Sequence, residues 1–186
     1  STAIAVEELI KIGAGTFIRV GTSGGLQPNT KTGDIAVVTG AIRDEGTTRQ
    51  YLPMEFPAVA NVDVVQALRM GAEKLNYPYQ VGVTHSKDSF YGEVEPDRMP
   101  MAARLEERWQ AWVKGGAICS EMEAAVIFIL SSIHRKRAGA VMMMVAAGEG
   151  LPEDEEGKKL FHGDRAIQTA IEAIKLLIEQ DRSATA

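Results

Sequence analysis

The chain has 186 residues, 45% of them apolar, with 25 acidic against 20 basic side chains and a formal charge of −5. That length suits a single domain spanning residues 1–186, with a core that needs neither disulfides nor metals. Basic residues scattered over a net-negative chain exclude a polyanion-binding surface, so nucleic acid is not an expected partner. One cysteine, Cys119, leaves no internal disulfide. With neither a leader-like segment nor an apolar run long enough for a bilayer, no membrane association is expected, and the cytosol is the expected compartment.

In chain order, Ser1-Thr2 followed by Ile4, Leu9 and Ile10 predicts a helix that stops at Gly13. Thr16 to Val20 reads as a buried strand running into a turn at Gly21-Thr22-Ser23-Gly24-Gly25, and Gly33-Asp34 introduces a second strand from Ile35 toward Ile42. Helical spacing follows over Val62 to Leu75, a strand over Tyr79 to Thr84, and a helix over Met101 to Val113 carrying Trp109 and Trp112. Ala124 to His134 predicts an apolar helix, Ala138 to Ala146 a central strand whose Met142, Met143 and Met144 fill the core, and Ala166 to Gln180 an amphipathic terminal helix. Gly148 to Gly157, with Pro152 and five acidic residues, predicts a mobile loop, and Gln27 to Thr32 and Arg43 to Thr48 shorter polar connections. Strands alternating with helices make the expected class α/β, with helices on both faces of one sheet.

Arg19 interrupts an apolar strand. A charge there has either a permanent ion-pair partner or a bound anion, and the glycine-rich turn after it adds backbone N–H groups and two hydroxyls to the second reading. The turn fits neither the P-loop nor the dinucleotide spacing. Glu121 and Glu123 flank Met122 before the apolar helix. They complement the helix N-terminus or, where buried, need donors that sugar hydroxyls would supply. Phe90-Tyr91-Gly92-Glu93 is either an ordinary loop or a stacking aromatic beside a carboxyl that contacts a planar ligand. His85, His134 and His162 have no metal spacing and no serine sits in a nucleophile elbow, so neither a metal site nor a triad is expected.

Together these residues resemble the nucleoside phosphorylase family, and within it the uridine phosphorylases. The likeness runs from Ser1 through at least Ala147. It is carried by residues 1–9, Arg19 to Gly24, Gly33-Asp34-Ile35, Glu55 to Ala60, Val81-Gly82-Val83-Thr84, Asp88-Ser89-Phe90-Tyr91 and Glu121-Met122-Glu123. The resemblance implies a three-layer αβα sandwich around a central mixed sheet. It implies reversible phosphorolysis of a pyrimidine nucleoside, uridine first, with inorganic phosphate as co-substrate and no cofactor. Phosphate would lie at Arg19, Gly21 and Thr22, ribose at Thr22, Glu121, Met122 and Glu123, and base at Ser23, Gly24, Phe90 and Glu93, a protonated Glu93 being one donor to the departing base. Arg19, Thr22 and Glu123 would carry catalysis.

Three departures accompany the likeness. The family's N-terminal segment, with early strands, further phosphate arginines and a histidine lent to a neighbouring subunit, has no counterpart here, so the domain reads as N-terminally incomplete relative to the family. Val94-Glu95-Pro96 stands where many uridine phosphorylases carry a Gln-x-Arg pair that reads uracil. Ala146-Ala147-Gly148-Glu149 stands where purine-handling relatives carry Ser-Asp. The alternatives kept open are a purine nucleoside phosphorylase, a hydrolytic nucleosidase of the same fold, and a non-catalytic fragment. A homo-oligomer, a hexamer built from dimers, is the assembly the resemblance implies.

Overall fold

A computed structural model describes residues 1–147 and 164–184. The expected loop at Gly148 to Gly157 and His162 lie outside the described residues, as do two of the four residues at the Ser-Asp position.

The chain runs α1 (Thr2–Lys11), β1 (Thr16–Gly25), β2 (Ile35–Asp44), β3 (Ala58–Val59), α2 (Val62–Lys74), β4 (Tyr79–Lys87), α3 (Tyr91–Val94), α4 (Ala102–Lys114), β5 (Cys119–Glu121), α5 (Ala124–Ile133), β6 (Arg137–Ala147) and α6 (Asp164–Ala184). The strands form one mixed sheet in the order β3-β2-β4-β5-β1-β6. It curls far enough that β6 also meets β2, Ile35 to Val38 pairing antiparallel with Met143 to Ala140. β1 and β6 are parallel, as are β2 with β4 and β4 with β5.

Period-two alternation along the central strands sorts side chains into two cores, one on each face of the sheet. Ala36, Val38, Ala140, Met142 and Met144 join Phe17 and the apolar residues of α5, with α1 and the tryptophans of α4 packed around them. Ile35, Val37, Val141, Met143 and Val145 face α2 and α6 instead. The expected α/β class with helices on both faces is thus what forms. α5 is buried from Ala124 to Ser131 because its sequence is apolar on every side, and Asn61 caps α2 by accepting from the Asp63 and Val64 amides.

Gly71 sets the distance between the two helices of the second core. A methyl there would stand 2.8 Å from the Thr169 carbonyl oxygen and 3.4 Å from the Ala173 nitrogen, both backbone atoms. Gly71→Ala is therefore expected to destabilise the fold by about 1–3 kcal/mol through overpacking. The check is urea unfolding, with the midpoint falling at constant m-value.

Two local expectations need correction. The glycine-rich stretch after Val20 is not a turn, since β1 continues through Gly25. The glycines there serve close approach rather than left-handed backbone: among the described glycines φ is positive at Gly13, Gly33 and Gly116 and at none of Gly21, Gly24 and Gly25, whereas a Cβ on Gly25 would stand 2.9 Å from Thr30 Cβ. Arg43 and Asp44, read as a polar connection, are the last residues of β2. β3, β5 and α3 were not expected at all.

Candidate functional site

β1 and β5 are paired only at Gly24 with Ser120 and Gly25 with Cys119. Beyond that apex they part, and the β1 edge facing the gap has no strand partner among the described residues from Thr16 to Ser23. Arg19 spans the fork. Its Nε lies 2.9 Å from Glu121 Oε2 and its second terminal nitrogen 2.5 Å from Glu123 Oε2. The remaining nitrogen, Nη1, is buried with no hydrogen-bond partner, and a Cβ on Gly21 would stand 2.5 Å from it. Glycine at 21 is thus the residue that lets the guanidinium lie along the strand. A groove of about 410 Å³ between α1 and β1 reaches Arg19.

The two carboxylates differ. Glu121 is the last residue of β5, its side chain fully buried. Oε2 accepts from the Glu123 and Ala124 amides at 2.8 and 2.9 Å beside its ion pair with Arg19, whose Nε–H donates to Glu123 Oε2 at 3.1 Å, and Oε1 accepts from Ser86 Oγ. The charge-complementation reading of a helix N-terminus fits Glu121, whose two oxygens already accept from protein donors. Glu123 precedes α5 and keeps 38% of its side chain exposed, with Oε2 bound to Arg19. The neighbouring Met122 is partly buried.

Thr22 is exposed, and alternation along β1 sends it to the opposite face from Arg19. The strand brings these two expected phosphate ligands together only along its free edge. Ser23, expected at the base, is 5% exposed, and its hydroxyl lies in the interior beside Cys119 without a hydrogen bond of ordinary geometry. Burial pushes the Cys119 thiol up to about 12, against the hydrogen bond with Thr84, so the thiol is inert near neutrality. At Gly24, also expected at the base, nothing lies within 4 Å of where its Cβ would be. Phe90 is half exposed and meets Tyr91 edge-on at 5.4 Å.

Glu93 belongs to a second polar cluster, on the face of β4 and β5 opposite Ser86 and Glu121. Its Oε2 accepts from Lys87 Nζ at 2.9 Å and from Ser120 Oγ at 2.5 Å, with His85 Nδ1 3.4 Å away. His85 Nε2 lies 2.9 Å from Asp44, which also pairs with Arg108, itself stacked over Trp112. The cluster borders a cleft of about 730 Å³ between the ends of β2 and β4 and helix α4. Burial pushes the Glu93 carboxyl up, but the His85 hydrogen bond, the Lys87 charge and the Ser120 hydroxyl outweigh it and hold Glu93 below the usual carboxylate range. That corrects the expectation of a protonated Glu93. Asp44 is likewise lowered: burial is overcome by its His85 hydrogen bond and the Arg108 charge. Burial works against the His85 imidazolium, yet hydrogen bonds and charge from Asp44 and Glu93 raise it above its ordinary value.

These shifts set a pH window. The raised His85 contributes stability fully present below about pH 6.5, its unfolded value, and lost as pH rises through the folded value. The lowered Asp44 and Glu93 contribute stability present above their unfolded values of about 4 and lost as pH falls through the folded ones. Unfolding free energy is expected to peak at mildly acidic pH. In His85→Gln its decline above pH 6.5 is expected to flatten, as read from urea midpoints at a series of pH values.

Lys87, His85, Ser86, Ser120 and Asp44 escaped the sequence reading as site residues. The available signal was the run of four polar residues Thr84, His85, Ser86 and Lys87 at the end of β4. Among the described residues no group of His, Cys, Asp and Glu is arranged to hold a metal, and no helix is long and apolar enough to cross a membrane.

Comparison with known proteins bears on this arrangement. The phosphorylase superfamily model matches residues 1–179. The uridine phosphorylase of Treponema pallidum is 46% identical over 181 residues, covering 97% of this chain and 70% of the relative. That of Thermococcus kodakarensis is 42% identical over 187 residues, covering 97% and 64%. The guanosine phosphorylase of Halorubrum lacusprofundi is 36% identical over 184 residues, covering 95% and 72%. The chain therefore spans between 64% and 72% of the length of these relatives. With a family match running nearly from end to end, the chain belongs to the phosphorylase superfamily.

Proposed function

We propose that the protein catalyses reversible phosphorolysis of a nucleoside, uridine first, to free base and ribose 1-phosphate. The observation that carries this reading is the buried, unpartnered Nη1 of Arg19 at an open strand edge. A buried N–H donor left unmade is costly, and a phosphate oxygen would satisfy it, with further contacts from the Gly21 backbone and Thr22. Glu123, with Met122 beside it, would fix the sugar hydroxyls, and Gly24 and Phe90 would border the base. Glu121 acts as a positioning residue for Arg19 and for the start of α5.

In the reaction a phosphate oxygen bonds to C1′ as the bond from C1′ to the base nitrogen breaks. The bonding pair leaves with the base, which then takes a proton from solvent. Positive charge grows on the sugar and negative charge on the base, so phosphate held beneath C1′ supplies both orientation and electrostatic stabilisation. Phosphate is the only co-substrate, with no cofactor. We further infer a single phosphorylase domain working in the cytosol as a homo-oligomer, a hexamer built from dimers. The unpaired β1 edge and the exposed Ile4 and Ile12 of the neighbouring α1 segment support burial against another surface.

A second reading, cleavage of a 6-oxopurine nucleoside, is favoured by the similarity to a protein named guanosine phosphorylase. The test is release of free base from uridine, thymidine, inosine, guanosine and adenosine with and without phosphate. Phosphate-dependent uracil release supports the proposal, and phosphate-independent release would replace it with hydrolysis.

A further inference from the structure

Lys87 is an ammonium at the end of β4, only 7% exposed, in a position where an apolar residue would satisfy the fold. Two of its three protons have acceptors: Ser120 Oγ at 2.6 Å and Glu93 Oε2 at 2.9 Å. Lysine carries three donors and no acceptor, so one donor remains for a ligand. Ser120 faces Gly24 directly across the β1 and β5 pair, and residues directly opposite in an antiparallel pair point to the same face. The space above Gly24 is empty. A flat ring lying on that glycine would meet the Ser120 hydroxyl and the lysine that holds it, at the apex of the fork whose arms carry Arg19 and Glu123.

We propose that Lys87, seated by Ser120 and Glu93, donates a hydrogen bond to an oxo group of the departing base and so restricts the substrate to nucleosides whose base carries an oxo group at that position. This rests on the phosphorolysis reading and specifies its substrate class. As the glycosidic bond breaks, the electron pair left on the ring nitrogen delocalises onto a conjugated oxo group, where a fixed cation in a buried setting stabilises it. An exocyclic amino group at the same place offers no comparable acceptor and sets N–H against N–H. Uracil, thymine, hypoxanthine and guanine meet the requirement through one oxo group; adenine does not. Asp44 and His85 complete the seat from behind: His85 touches both Glu93 and Asp44, which keeps the Glu93 carboxylate aimed at Lys87.

The experiment uses the full protein with saturating phosphate and compares uridine with 5-fluorouridine, whose base is the more acidic and the better leaving group. Lys87→Met is expected to lower kcat/KM on uridine on the order of 10²-fold and clearly less on 5-fluorouridine, because a better leaving group needs less help. Since the single substitution strands the Glu93 carboxylate, Lys87→Met/Glu93→Gln is measured beside it as a charge-balanced variant. It is expected to recover thermal stability without recovering activity on uridine. Equal losses on the two substrates, or activity restored in the double variant, would overturn the assignment of Lys87 while leaving phosphorolysis standing. Failure of the unsubstituted protein to release uracil with phosphate would overturn both.

Discussion

Arg19→Lys is expected to lower kcat/KM for phosphate on the order of 10²–10³-fold while the protein still folds. The arginine bridges two carboxylates through Nε and one terminal nitrogen and keeps a third nitrogen free. A lysine has a single nitrogen, so it satisfies the carboxylates or a phosphate oxygen, not both sets in fixed geometry. Arg19→Ala is the harsher change: Glu121 stays fully buried with no cation beside it, a loss of about 3–5 kcal/mol in such settings. The two variants therefore separate binding from folding. Steady-state phosphate titration of Arg19→Lys, with a thermal melt beside it, is the measurement. An unchanged phosphate KM and kcat would remove the anion role and leave Arg19 as a structural ion pair. Retained phosphate-independent base release would point to water as the nucleophile.

Where the pattern of the sequence was long it was legible, and where it was short it was not. α5 and β6 are continuous apolar runs, and α2 and α4 keep helical spacing for 13 residues each, so their sites in the fold follow from burial alone. β5 has three residues, two of them polar, and is a strand only because β4 and β1 offer it partners on either side. Its existence decides which face Glu121 and Ser120 occupy, so the separation of the fork from the second cluster was hidden with it. The glycines from Gly21 to Gly25 were read as a turn because glycine commonly marks positive φ. Here they remove side chains instead, under Arg19 at Gly21 and against Thr30 at Gly25. Lys87 was hidden because β4 was expected to stop at Thr84; three more residues of strand turn a loop lysine into a buried one. Arg19, by contrast, was visible from its single charge in an apolar strand: the ion-pair reading of that charge is seen, and one donor is left unpaired beside it.

Exchanging each carboxylate of the fork for its amide is expected to give opposite outcomes. Glu121 receives three donors, Ser86 Oγ and the Glu123 and Ala124 amides, and pairs by charge with Arg19 Nε 2.9 Å from its Oε2. In Glu121→Gln one of its oxygens becomes an NH2 facing those donors, in a site closed to water, so N–H opposes N–H and the charge that balances Arg19 is lost. A cost of about 3 kcal/mol follows, seen as a melting temperature lowered by several degrees. Activity is expected to fall with the folded fraction and with the placement of Arg19. Glu123 has one oxygen on Arg19 and 38% of its side chain exposed, so Glu123→Gln leaves nothing buried unpaired and is expected to shift stability by less than about 1 kcal/mol. Its effect is expected on the sugar, on the order of 10²-fold in kcat/KM for uridine, with the phosphate KM changed far less. Comparing uridine with 2′-deoxyuridine in this variant locates the contact: an effect smaller on the deoxy substrate assigns Glu123 to the 2′-hydroxyl, and an equal effect assigns it elsewhere on the sugar. Should Glu121→Gln keep wild-type stability while Glu123→Gln unfolds, the division of labour between the two carboxylates would have to be reversed.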